Sequence, residues 1–539
     1  MSKASWTHIV VGAGAAGCAL AARLSENPDL NVLLIEAGGR GRDPALAVPM
    51  MTAVLLRGKS HIWRYATSAE PGLSGRSVEL PRGRVLGGST AINGMVYVRG
   101  LPSDYDLWAQ QGMPGWSWNA LRPLFLRSEG FQGPGGTSED HGIDGPLTVS
   151  RRVKPVSPLA YTFIEAGQAA GHPACPDFNS EMPEGFGFYH FTIRNGRRET
   201  AAHAFLADAR RRSNLSIRTG CEVRHLKIRN GRAVGVVLND GAGEELIVTD
   251  GEIILSAGAI GSPILLQRSG IGASDMLEPL GIDVVADLPE VGKNLHDHVL
   301  VRVSHAATED ATLHGLTRID RAAVAFLRAY LFGDGPMNVF PLEAGAYLRA
   351  PGSEGPNIQS HFLPALTSAT VRFNPFASPA NDVPGFMANA SVMRPYSRGA
   401  VKITSADPSA LPDIRVNYLD DPRDVDTLVD AVGLLREVFA QKPFDLYRGV
   451  ELQPGPDIKS RKDIAAWVRE TASTVHHLCG SCRMGADQAS VVDPELRVRG
   501  VAGLRVADAS IFPSIPSTNT AAPSILVGEK AADLILGDL

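Results

Sequence analysis

The first forty residues constrain the fold more than any other stretch of this chain. His8-Ile9-Val10-Val11 is a short apolar β run, and Gly12-Ala13-Gly14-Ala15-Ala16-Gly17 follows without a break. Ala15 to Leu24 is rich in helix formers, Asn31 to Ile35 is a second apolar strand, and Glu36 closes it. Strand, glycine turn, helix and strand in about 30 residues is the setting that a dinucleotide fingerprint requires. Gly12 permits the tight turn, Gly14 admits a pyrophosphate without a Cβ in the way, and Gly17 lets helix and strand pack closely. The free N–H groups at the helix start, around Ala15 and Ala16, then face the phosphates. Glu36, 24 residues after Gly12, is placed to accept hydrogen bonds from ribose hydroxyls. A carboxylate there repels a 2′-phosphate, which disfavours NADP. The motif alone does not separate FAD from NAD.

Composition narrows the class. The chain has 539 residues, 44% hydrophobic and 20% charged, the balance of a folded protein with more than one core. The net charge is −5 and no long basic block occurs, so a nucleic-acid partner is not expected. Arg210-Arg211-Arg212 reads as solvated surface. Five cysteines do not make a disulfide framework, and no leader-like apolar run opens the sequence. A reduced, cytoplasmic protein is expected. No apolar run approaches 18 residues, so no transmembrane segment is expected.

Residues 81–100, PRGRVLGGSTAINGMVYVRG, form a second glycine-rich stretch. It suits close backbone approach to a ligand, or an ordinary turn before a buried segment. Arg82 and Arg84 stand to meet phosphates or to lie on the surface. Residues 215–259 read as strands separated by turns at Asn230-Gly231 and Asp240-Gly241. Asp287 to His298 reads as a polar loop. From about 311 to 464, Pro/Gly punctuation separates short β runs, followed by helical patterns at Val425–Phe439 and Arg461–Thr471. The last 75 residues, with a strand at Leu504–Val506 and a helix at about Ala522–Leu536, read as a return to the first domain.

Two polar elements carry candidate chemistry. Thr474 to Gly485 reads TVHHLCGSCRMG. Zinc is disfavoured because adjacent histidines point apart and no second cysteine pair lies nearby. A redox Cys479–Cys482 pair lacks its βαβ context. Two core histidines with two buried thiols, or a catalytic histidine, remain. The second element, Pro513 to Pro523, holds Asn519 among small residues just before a helix, a position that also suits a capping role.

Together these segments resemble the glucose–methanol–choline (GMC) oxidoreductases nearly end to end. The matching motifs are IVVGAGAAG with LLIEAGG, GRVLGGSTAINGMVYVRG, SAGAIGSPILLQRSGIG, LPEVGKNLHDH, VHHLCGSCRMG and LRVADASIFPSIPSTNTAAPSILVGEKAAD. The resemblance implies bound FAD, and oxidation of a small-molecule alcohol with oxygen, a quinone or a carrier as electron acceptor. It implies a Rossmann-like FAD-binding domain of α/β type, assembled from residues 1–155, 199–310 and 465–539. An interleaved α+β substrate domain, an antiparallel sheet flanked by helices, would come from 156–198 and 311–464.

Site residues carry over by position. His477 matches the family's histidine beside the flavin, and Asn519 the second catalytic position. Gly12, Gly14, Ala15, Ala16, Gly17, Glu36 and Ala37 match the ADP-binding unit. Arg84, Gly87, Gly88, Asn93 and Gly94 match the stretch along the flavin. Val223 matches a backbone contact near adenine; Ala257, Asp508, Ala509, Asn519 and Thr520 fall in further cofactor-contacting motifs. Some members bind FAD covalently through a histidine at the position of Ile92, so FAD is expected to be non-covalent here. His476 stands where an aromatic is common, which weakens choline, whose cation favours aromatic faces. An aryl or polyol-type primary alcohol is favoured. A lyase using FAD structurally, or a non-catalytic nucleotide-binding scaffold, are the alternatives. His476, Phe340, His361 and Phe362 are candidate substrate contacts, although core is the favoured reading for the two phenylalanines. On a strand, Gln359 and His361 share one face while Ile358, Ser360 and Phe362 share the other. No metal is expected.

Overall fold

The computed structural model describes residues 6–134, 140–308, 311–367, 373 and 383–538. Two seven-stranded sheets organise it. The strands Trp6–Val11 and Val32–Glu36 pair in parallel, His8 opposite Val32, and Leu215–Thr219 extends the same parallel set. On the other side lies the long strand Glu244–Leu255. Its last residues pair in parallel with Trp6–Val11 and with Leu504–Val506. Its first residues instead pair antiparallel with Arg232–Asn239, which continues to Glu222–Arg229. The inner strand Val32–Glu36 is buried throughout, while Leu215–Thr219 at the sheet edge is buried only at Leu215.

Helix Ala15–Leu24 packs on the C-terminal helix Ala521–Gly537. Gly528 permits this approach, since a Cβ there would lie 2.2 Å from the Ala16 carbonyl oxygen. Sequence-distant segments therefore close over the first βαβ unit.

The second sheet is antiparallel, in the order Arg448–Gln453, Val299–Ala307, Gly385–Val392, Ile358–Leu363, Ala344–Leu348, Gly185–Phe188. The short strand Ser473–Thr474 joins Val299–Ala307. The sequence reading places Val299–Ala307 with the nucleotide-binding pieces, yet its partners all belong to this sheet. One face packs Val299, Val301, Val303, Ile358, Phe362, Ala388 and Ala390 against apolar residues of helices Pro422–Phe439 and Leu159–Ala169. Helix Pro422–Phe439 starts cleanly: Asp421 accepts from the Arg423 N–H at 3.0 Å and Pro422 occupies the first position. Leu428, Val432, Leu435 and Val438 then form its buried stripe.

The opposite face of this sheet carries Gln359, His361, Asn389 and Ser391, all buried. Buried polar side chains need partners, and this face looks onto the segment that carries His477. No helix among the described residues is long and apolar enough to cross a membrane.

Candidate active site

The glycines divide the work. Gly12 has φ +103°, and a Cβ there would lie 2.4 Å from the Ser256 carbonyl oxygen. A Cβ on Gly17 would lie 2.0 Å from the Gly12 carbonyl oxygen. Both positions are closed by protein. Gly14 is different: its nearest such contact is 3.9 Å, leaving space above the turn. The second glycine stretch borders that space, because a Cβ on Gly88 would lie 2.7 Å from the Gly14 Cα. The Gly87 N–H donates to the Ala13 carbonyl at 2.8 Å, fixing the two stretches together. Helix Ala15–Leu24 begins at Gly14 with no side-chain cap and no acidic residue in its first turn. Its exposed N–H groups suit a phosphate.

Glu36 ends its strand with Oε2 accepting from the Ala13 N–H at 3.0 Å and Oε1 from the Gly38 N–H at 2.8 Å. Burial pushes its pKa up to about 7, against the pull of those N–H groups and of Arg84. Arg84 is half-exposed, paired with Glu222 at 3.1 Å and stacked over Trp63. Val223 is buried beside it in sequence, at the start of its strand. Ala37, Ala257, Ala509 and Thr520 are half-buried. The Asp508 carboxylate is fully engaged, accepting from the Gly258 N–H (2.8 Å), the Ser262 hydroxyl (2.5 Å) and the Ser510 N–H (2.8 Å). Two of these bonds tie it to the first turns of the helix Gly258–Arg268. Asn93 is likewise occupied: its Oδ1 accepts from the Met95 N–H (3.1 Å) and from the buried Arg198 guanidinium (3.0 Å). Gly94 lies against the Phe340 ring, 3.2 Å from where its Cβ would be. Ile92 is buried among Leu46, Val85 and Ala91.

His477 and Asn519 are brought together from segments 42 residues apart, the Asn519 Nδ2 lying 3.2 Å from the His477 Nε2. The imidazole is held from behind. His298 Nδ1 lies 2.9 Å from His477 Nδ1, and His298 Nε2 lies 2.9 Å from the Met393 carbonyl oxygen. A carbonyl only accepts, so His298 carries its proton on Nε2 and offers Nδ1 as acceptor. His477 must then donate through Nδ1–H, which leaves a lone pair on Nε2 directed at Asn519. The amide is oriented in turn, because Gln359 donates to its Oδ1 at 3.0 Å. The His477 N–H donates to Asp297 at 2.7 Å, and the Thr474 and Tyr418 hydroxyls also donate to that buried carboxylate. Burial depresses the His477 pKa well below the usual histidine value, and His298, His361, His476 and Arg82 add to the effect. Burial likewise brings His298 down to about 4.

His476 is held by its backbone. Its φ of +67° is left-handed, its N–H donates to Thr474 at 2.7 Å, and its carbonyl accepts from Arg82 at 2.6 Å. Its Nδ1 is buried without a partner among the described residues, as are Arg82 Nη2 and His361 Nε2. His361 lies on the polar sheet face, with Nδ1 3.2 Å from the Asn389 Oδ1. Phe362 departs from the expected substrate contact. It stacks on Phe163 at 4.8 Å in the apolar core, the other face of the same strand. Phe340 remains beside Gly94.

Sequence reasoning names neither His298, Asp297 nor Gln359 as a site residue. The first two lie in the LHDH stretch that reads only as a loop; Gln359 is recognisable from strand alternation alone. The cysteines of the 474–485 segment are free and buried. Among the described residues, the group with metal-ligand spacing is instead His141, Asp177 and His190. There both ring nitrogens of His141 are taken by carboxylates, Glu129 and Asp177, at 2.7 Å each.

A double glycine cradle at an uncapped helix start and an adjoining imidazole and amide, His477 and Asn519, thus lie in one fold. The chain belongs to the GMC oxidoreductase family, whose N- and C-terminal models match residues 6–300 and 395–528. An oxygen-dependent choline dehydrogenase of Photobacterium profundum is 42% identical over 538 residues, covering 99% of this chain and 93% of that protein. Its counterpart in Sinorhizobium medicae is 43% identical over 535 residues, 98% and 95% of the two chains. Among solved structures, a pyridoxine 4-oxidase from Mesorbium loti aligns with TM-score 0.88 and 34% identity over 98% of this chain and 99% of that one. A formate oxidase from Aspergillus oryzae RIB40 aligns with TM-score 0.91 and 26% identity over 100% and 99%. The chain is thus an FAD-dependent enzyme acting on CH–OH donors. The residues present fit FAD: the space over Gly14 and Gly88, the uncapped helix start and the unpartnered His476 Nδ1 are features a bound cofactor would use.

Proposed function

We propose that the protein oxidises a primary, non-cationic alcohol to its aldehyde, with His477 as base and Asn519 as hydrogen-bond donor. The observation carrying this reading is the chain Met393 carbonyl–His298–His477, which sets the bare Nε2 toward Asn519. An alcohol hydroxyl inserted between the two donates to His477 Nε2 and accepts from Asn519 Nδ2. Gly12, Gly14, Ala15, Ala16, Gly17, Glu36 and the 83–94 stretch would hold FAD, which when bound supplies the acceptor for the hydride equivalent. The hydroxyl proton passes to His477 Nε2, whose depressed pKa keeps it free of protons near neutrality. Asn519 steadies the negative charge that grows on the alcohol oxygen, as a preorganised donor in a dry site does. The fixed amide cannot rotate away, because Gln359 holds its other end.

Choline is disfavoured although the relatives quoted are named for it. The groups around His476 are Arg82 and Arg302, which repel a quaternary cation. The five buried, unpaired cysteines support a reducing, cytoplasmic setting. The test is an anaerobic panel of alcohols, choline included, read by bleaching of the flavin band. Bleaching by neutral or anionic primary alcohols and not by choline supports the reading; bleaching by choline alone, or by none, refutes it.

A further inference from the structure

Arg302 lies on the active-site face of the second sheet and takes no part in the proton transfer above. In Val299–Ala307 the odd residues Val299, Val301 and Val303 enter the apolar core, so Leu300, Arg302 and Ser304 point the other way. Register places Arg302 directly opposite Asn389, and Asn389 opposite His361. Directly opposed residues on one sheet face lie side by side, so Arg302, Asn389 and His361 form one transverse row. The neighbouring row is Leu300, Ser391 and Gln359, and Gln359 is the residue that holds Asn519. Arg302 is therefore one row from the Asn519 support.

Its guanidinium also acts on the other side of the site. The His476 imidazole is held at a pKa of about 3 by burial first, then by Arg82 and Arg302. Arg302 is only partly exposed and lacks a hydrogen-bond or ion-pair partner among the described residues. The acids near it are committed elsewhere. Asp297 accepts from Thr474, Tyr418 and the His477 N–H. Glu451, whose strand adjoins that of Arg302, is paired through both oxygens with Arg436 at 3.0 and 2.7 Å. Its guanidinium nitrogens keep access to solvent, so an unpaired fork stands open to a ligand on the active-site face.

We infer that Arg302 is the specificity-determining residue of this site, and that the alcohol substrate carries a carboxylate that Arg302 receives. The inference rests on the alcohol-oxidation reading for its reacting end and on Arg302 for its far end. A guanidinium presents a planar fork that matches a carboxylate through two parallel hydrogen bonds. Spacing limits the substrate further. Arg302 lies one row, about 7 Å of strand, from the row of Gln359, and Gln359 is itself separated from the reacting oxygen by the Asn519 side chain. The carboxylate therefore sits several bonds from the carbinol carbon. A hydroxymethyl-aryl carboxylate or a short ω-hydroxy acid spans that gap; a 2-hydroxy acid, with both groups on one carbon, does not.

The test separates the far end from the reaction. 4-Methylbenzoate, which has no carbinol, and its uncharged twin 4-methylbenzamide are titrated calorimetrically into flavin-loaded wild type, Arg302→Met and Arg302→Lys. Wild type is expected to bind the carboxylate about 10- to 100-fold more tightly than the amide, the range for a charged hydrogen-bonded pair. Arg302→Met is expected to lose that preference, and Arg302→Lys to keep a reduced part of it, since a point charge lacks the fork. Should the Met variant fail to hold flavin, the Lys variant decides by the same ratio. No preference in wild type, or one that survives in both variants, overturns the inference. In turnover, 4-(hydroxymethyl)benzoate is expected to exceed benzyl alcohol in kcat/KM in wild type, with the ratio collapsing in Arg302→Met. Arg302-dependent carboxylate binding with no flavin bleaching by either alcohol would uphold Arg302 and refute the alcohol-oxidation reading instead.

Discussion

His298→Ala removes the acceptor behind His477 without touching the substrate side of the ring. In the wild type that acceptor lies 2.9 Å from His477 Nδ1 and is itself pinned by the Met393 carbonyl. The variant leaves a buried Nδ1–H without a partner, a cost of about 1–3 kcal/mol. The ring can relieve that cost by taking the other tautomer, which puts a proton on Nε2 and abolishes the base. Converted at RT, about 1–3 kcal/mol corresponds to a kcat loss of roughly 5- to 150-fold. KM should move far less, because His298 touches no substrate. His298→Asn, whose amide oxygen can accept from Nδ1–H, should recover part of the loss. The assay is steady-state turnover and anaerobic flavin reduction with equal flavin content in all three proteins. A His298→Ala enzyme within about twofold of wild type, or an Asn variant no better than Ala, would refute the tautomer argument.

The pH dependence follows from the same burial. Because the His477 pKa is depressed, its neutral form persists below the usual histidine range. The acid limb of kcat/KM should therefore lie below about pH 6.5, and a limb at or above that value would contradict it. Stability has its own acid edge. His190, His298 and His361 are held at about 4 and His296 at about 3, chiefly by burial. The unfolded chain takes up protons below its histidine pKa of about 6.5 and the native state does not, so stability present above that pH is lost as pH falls. Each group costs about 1.4 kcal/mol on going to about pH 5.5. His141, raised to about 9 by Asp177 and Glu129 against burial, works in the opposite sense and offsets about one of them. Glu36, Glu199 and Glu343, pushed up to about 7 by burial, regain stability over the same range, so the histidine share is read by difference: the Tm lost between about pH 7.5 and about 5.5 should be smaller in His296→Gln than in wild type, and an equal loss would refute this. With Ile92 where a linking histidine would stand, acid precipitation should leave colourless protein and all flavin in the supernatant.

Much of the fold is legible because its signals are local. The first βαβ unit declares itself through glycine spacing, and helix Pro422–Phe439 through the Leu428, Val432, Leu435 and Val438 stripe, which reads from Val425 onward. The strand Ile358–Leu363 shows its two faces by alternation, which puts His361 and Phe362 on opposite sides, although the sequence still offers both as pocket candidates. What is not legible depends on tertiary pairing. Val299–Ala307 groups with its chain neighbours, and only its antiparallel ladder places it with the second sheet. Asp508 falls in a cofactor-contacting motif, and only the fold shows its carboxylate bonded to the start of a helix 250 residues earlier. His298 gives no sign of standing behind His477, because their 2.9 Å contact joins positions 179 residues apart. Arg302 looks like an ordinary polar residue in a β run until register sets it beside Asn389 and His361.

The central claim is that the substrate hydroxyl proton goes to His477 Nε2. The most direct measurement is single-turnover flavin reduction by a primary alcohol, under anaerobic conditions, in wild type and His477→Ala. The account predicts a reduction rate lower by about 10²- to 10⁴-fold in the variant, the usual worth of a positioned base, with flavin fully retained. A flavin-loaded His477→Ala enzyme reduced at close to the wild-type rate would contradict it.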